Sequence, residues 1–98
     1  MMKKLAALAA LAALTACATG SVRGPRMDWS CDGGAAFSAR VSGGRAEVFA
    51  GGQVYRLRHV RAASGARYSD GTVEYWEHGG QATLTSARGG PYTNCRRS

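Results

Sequence analysis

The side chains able to do chemistry are few: Ser64, His59, His78, Asp70, Glu74 and Glu77, with the three cysteines Cys17, Cys31 and Cys95. A serine, a histidine and an aspartate can be written down as a nucleophilic set. No nucleophile-elbow pattern surrounds Ser64, however, and no spacing joins it to either histidine. His59 and His78 alone do not complete a metal site, since the Cys-x-x-Cys and His spacing of zinc sites is missing. The sequence predicts neither an enzyme nor a metal or cofactor protein. Ser64 does have a setting. It stands in Ser64-Gly65-Ala66-Arg67-Tyr68, where a hydroxyl at the tip of a tight surface loop is able both to donate and to accept hydrogen bonds. By residue type alone the same stretch is also an ordinary turn.

The cysteines carry different chemistry. Lys3 and Lys4 precede an unbroken Leu/Ala run from Leu5 to Leu14, a charged n-region and an h-region too short to span a bilayer, which needs about 20 residues. This is a secretory signal. Leu14-Thr15-Ala16-Cys17 resembles the bacterial lipobox, which implies lipidation of Cys17 and removal of residues 1–16. Ala18 in place of aspartate implies, by resemblance to Gram-negative lipoproteins, an outer-membrane anchor with the domain facing the periplasm. Several acyl chains hold such an anchor, each buried CH2 contributing about 0.8 kcal/mol. Export also places Cys31 and Cys95 in an oxidising compartment. A mature chain this short buries little core, so the two are expected to pair, with about 4 kcal/mol of stabilisation in the chain-entropy model.

The elements that must position these residues follow from periodicity. Residues 17–27 are expected to be a lipidated cysteine and flexible tether, with two glycines and Pro25 and no periodicity. From residue 28 to 98 the pattern is period-2. Ala35, Phe37, Ala39 and Val41 alternate with small or polar residues, as do Ala46, Val48 and Ala50, then Tyr55 and Leu57, Val73 and Tyr75, Ala82 and Leu84. Gly43-Gly44, Gly51-Gly52, Ser69-Asp70-Gly71, Gly79-Gly80 and Gly89-Gly90-Pro91 punctuate them. Turn signals roughly every 8 to 12 residues predict an all-β antiparallel sandwich or barrel of seven or eight short strands. Val60 to Tyr68 fits least well and is expected to be an exposed loop, with the Tyr68 ring packed underneath. The formal charge of +7 falls to +5 once Lys3 and Lys4 are removed, and every remaining base is arginine. The arginines are scattered along the chain, not gathered in a run, so nucleic acid is not an expected partner.

One known family shares these features. The lipobox, Trp29-Ser30-Cys31-Asp32, Tyr55-x-Leu57-x-x-Val60, Ser64-Gly65-x-x-Tyr68, Tyr75-Trp76, Gly79-x-x-Ala82-x-Leu84 and the terminal Cys95 together resemble the MliC/PliC family, membrane-bound or periplasmic inhibitors of C-type lysozyme. The resemblance spans about residues 28 to 96. It implies a small eight-stranded antiparallel β-barrel with one disulfide, and C-type lysozyme as the protein partner. It further implies that the loop of Ser64, Gly65, Ala66, Arg67 and Tyr68 enters the lysozyme catalytic cleft. His78, in Trp76-Glu77-His78-Gly79, takes the place of a family lysine expected to meet a carboxylate there. From the residues alone, an envelope lipoprotein that binds peptidoglycan or stabilises the cell surface without inhibiting lysozyme is the alternative.

Overall fold

Alternating apolar residues give each strand one buried face, and glycine pairs let the chain reverse between strands. In three hairpins, Gly43-Gly44, Gly51-Gly52 and Gly79-Gly80, both turn residues have positive φ, as the two-residue turn matched to strand twist requires. A computed structural model describes residues 22–98. The expected signal segment and lipobox, with Cys17, lie outside these residues. Eight strands run in chain order: β1 (Met27–Ser30), β2 (Ala36–Ser42), β3 (Arg45–Ala50), β4 (Gln53–Val60), β5 (Ala66–Ser69), β6 (Glu74–His78), β7 (Gln81–Thr85) and β8 (Tyr92–Arg97). Each pairs antiparallel with the next, and β8 returns to β1, closing a barrel. The all-β, eight-stranded antiparallel barrel with one disulfide is the expected fold.

The interior follows the alternation. Phe37 and Ala39, Ala46, Val48 and Ala50, Leu57, Tyr75, and Ala82 with Leu84 are all buried. Large and small residues face one another in register, Leu57 against Ala46 for example, which is how a narrow barrel fills its bore. Phe37 sits at the centre of an aromatic group, 5.7 Å from Tyr75 and 5.5 Å from Tyr92, both edge-on. Cys31, just after β1, is bonded to Cys95 in β8. The bond braces the seam where β1 and β8 share only two paired positions, Trp29 with Arg97 and Ser30 with Arg96. Both sheet neighbours of every strand come from within residues 27–97. That segment is therefore a self-contained folding unit.

Two boundaries differ from the sequence reading. The expected loop from Val60 to Tyr68 is shorter, because Val60 ends β4 and β5 begins at Ala66. Arg67 and Tyr68 pair with Trp76 and Tyr75, so they continue the sheet. Of the small residues that hid the strand signal, Ala62 to Gly65 lie in the connection and Ala66 opens β5. At the other boundary, Met27 already pairs with Ala39 and belongs to β1. Ahead of it, Arg26 lies over the Phe49 ring at 4.4 Å.

Candidate functional site

Strand direction alternates around the barrel. The β4–β5 connection, residues 61–65, and the Gly79-Gly80 turn therefore share one end with Gly43-Gly44. Ser64 is exposed at that end. Its carbonyl accepts a hydrogen bond from Trp76 Nε1 at 2.8 Å, so the turn is held from behind by β6. Among the described residues no hydrogen bond engages the Ser64 hydroxyl. Gly65 follows with φ 71°. A Cβ built there would collide with the Glu77 carbonyl oxygen and lie 2.7 Å from the His78 Cβ. Only glycine meets both the backbone conformation and the space.

Trp76 organises the outer side of the site. It pairs with Arg67 in register, and the Arg67 guanidinium lies 5.7 Å from the centre of its ring. The same guanidinium donates through Nε to Glu74 Oε2 at 2.9 Å. His78, also on the outward row of β6, is exposed with its ring 5.1 Å from that of Trp76. Ser64, Gly65, Arg67 and His78 therefore gather around one indole. Tyr68 does not join them. It is buried in the barrel, stacked on Tyr75 at 6.0 Å and edge-on to His59 at 5.5 Å. Its place is beneath the turn, as a ring that fixes the start of β5.

Sequence reasoning passed over a polar chain inside the barrel at this end. Trp29 Nε1 donates to Tyr75 Oη at 3.0 Å, and Tyr75 Oη donates to Glu77 Oε2. Burial first, then the hydrogen bond to the Glu77 carboxylate, pushes the Tyr75 phenol far above its ordinary value. Tyr75 thus stays a proton donor at any working pH. Burial and the Glu77 charge also raise Tyr68. The signal for Glu77 was present in the period: two residues after Tyr75 on one strand, it shares the inward face. An open cavity of about 380 Å³ adjoins the turn, lined by Gly65, Glu77, His78, Gly79, Trp29 and Arg97. A larger groove, about 550 Å³, runs past Phe49, Gly51 and Val54, but Asp28 is its only titratable side chain. Asp28 already accepts a hydrogen bond from Ser38 at 2.7 Å, so that groove offers little reactive chemistry.

The arrangement is an exposed hydroxyl on a buttressed turn, flanked by an imidazole and an aromatic ring. It presents polar groups at the surface, and among the described residues no hydrogen bond joins the Ser64 hydroxyl to His59 or His78. A family model, MliC, described as membrane-bound lysozyme-inhibitor of c-type lysozyme, matches residues 29–92. The chain belongs to that family. No curated protein and no solved structure matches the chain.

Proposed function

We propose that this protein inhibits c-type lysozyme by placing the exposed Ser64-Gly65 tip of the Ser64–Tyr68 segment in the catalytic cleft, from a lipid anchor at Cys17 in the outer membrane, with the barrel in the periplasm. Membership of a family of membrane-bound lysozyme inhibitors supports the activity and the partner. The observation that carries the mechanism is the exposed Ser64 hydroxyl, engaged by none of the described residues, on a turn pinned by Trp76. A lysozyme cleft holds one protonated and one ionised carboxyl group. A single hydroxyl satisfies both, donating to the ionised oxygen and accepting from the protonated one. Because the turn is already held by Trp76 and Gly65, little conformational entropy is lost when it enters the cleft.

Each neighbour has a role in this reading. Gly65 lets the backbone pass close to β6, Tyr68 roots the turn in the core, and Arg67 with Glu74 holds the Trp76 ring in place. His78 stands beside the turn, where its protonated ring makes a charge-assisted contact with a cleft carboxylate. The test is Ser64→Ala, assayed by lysozyme turbidity. Losing a partner for two carboxyl groups buried in the complex is expected to cost about 1 to 3 kcal/mol. The melting temperature should not move, since Ser64 is exposed. Full inhibition by the alanine variant would overturn insertion. Peptidoglycan pull-down that persists without any inhibition would favour the glycan-binding alternative.

A further inference from the structure

Antiparallel pairing brings arginines far apart in sequence onto the outer face of β2–β4. In register across the three strands stand Arg40, Glu47 and Arg56, and beside them Arg45 opposite Arg58. Arg26 extends the same face over Phe49. Arg23 joins Arg45, Arg56 and Ser42 around a cavity of about 310 Å³. Against these six arginines the three strands carry one acid, Glu47. It is buried beneath them at 4% exposure, with Arg56 Nη2 at 3.5 Å. The Arg40 Nε is buried and finds no hydrogen-bond partner among the described residues.

Folding does not call for this arrangement. Like charges placed directly opposite in a sheet, as Arg45 and Arg58 are, destabilise it, and one carboxylate cannot neutralise the set. The excess charge is turned outward, where only an external anion would compensate it. We infer that this face is an anion-binding surface that lays the domain against the phosphate headgroups of an anionic membrane. Guanidinium groups match phosphate oxygens in paired hydrogen bonds. The surface is a sheet face, suited to a planar array of headgroups. It also carries apolar groups among the charges, the half-buried Phe49 and Val54 at 47% exposure. Val22 to Arg26 lead onto it from the N-terminal side. In an eight-stranded closed barrel β7 lies across from β3, so docking by β2–β4 leaves the β6–β7 side, with Trp76 and His78, turned away from the membrane. The inference stands apart from the inhibition reading.

The experiment is sedimentation of the oxidised segment 22–98 with vesicles of phosphatidylcholine, alone or with one third phosphatidylglycerol, at low and high salt. Binding is expected only to the charged vesicles and only at low salt. Each arginine near an anionic surface contributes about fivefold, so the double variant Arg45→Gln, Arg58→Gln should bind about 25-fold more weakly. It should fold at least as well as the parent, because it relieves the opposed charges, and inhibit lysozyme unchanged. The matched control, Arg96→Gln with Arg97→Gln, removes the same charge from β8, across the barrel from β4, and should bind like the parent. Equal binding to neutral vesicles, equal losses in the two double variants, or tighter binding to a DNA duplex than to the charged vesicles would each overturn the inference.

Discussion

The outer faces of β2–β4 and β5–β7 are built from the same sheet grammar but treat their charges in opposite ways. On β5–β7, Arg67 is spent on Glu74 and on the Trp76 ring, and those contacts hold the Ser64 turn from behind through the Trp76 hydrogen bond. On β2–β4, arginine faces arginine, and the single glutamate is covered. Charge satisfied within the molecule makes a rigid scaffold for a small polar tip. Unsatisfied charge makes an adhesive surface. The difference shows that +7 is a poor guide to function until it is known which charges have partners.

The largest expected effect abolishes the comparison altogether. Replacing Cys31 and Cys95 by serine opens the β1–β8 seam and should cost about 2 to 5 kcal/mol. Both faces belong to one closed sheet, so they should melt together. Two separate transitions in circular dichroism, or an unchanged melting temperature, would contradict a single cooperative barrel.

A more selective break is Gly65→Ala. The positive φ and the collision with the Glu77 carbonyl should cost about 1 to 3 kcal/mol, concentrated at the β4–β5 connection. Inhibition should fall sharply while vesicle binding by β2–β4 stays as it was. A variant that lost both would show that the two faces are not independent. Ser64→Ala makes the same separation without touching the backbone.

The smallest effect sharpens the contrast from the far end of β5. Asp70 accepts hydrogen bonds from the backbone of Thr72 at 2.9 Å and Val73 at 2.7 Å. These bonds, Thr72 first, hold its carboxyl below the ordinary 3.8. A carboxyl depressed on folding contributes stability that is present above its unfolded value and is lost as pH falls through the folded one. Asp70 is exposed, so solvent keeps the contribution under about 1 kcal/mol. Asp70→Asn should therefore lower stability at pH 7 slightly and make the loss between neutral and acid pH smaller than in the parent. Urea unfolding at both pH values checks it; an equal acid loss in the two proteins would deny Asp70 that role.

The sequence by itself determined the alternating strands, β5 excepted, and their buried faces, because alternation is a local property that such a strand carries whole. The doubled glycines likewise set the hairpins, since positive φ at two successive residues is open to little else. Cys31 and Cys95 were legible as a pair once Cys17 was read as the lipid-bearing cysteine. Only the tertiary structure decided what lies next to what. That Tyr68 goes inside while Arg67 meets Trp76 depends on β5 pairing with β6, and the short strand reads as loop in the sequence because Ala62 to Ala66 are all small. The sequence marks Trp76 only as half of the Tyr75-Trp76 pair, yet its indole reaches the Ser64 carbonyl twelve positions away. The scattered arginines became a surface for the same reason. Register joins residues 40, 47 and 56 at right angles to the chain, and that direction is set by non-local hydrogen bonds between strands, which no stretch of sequence read alone contains.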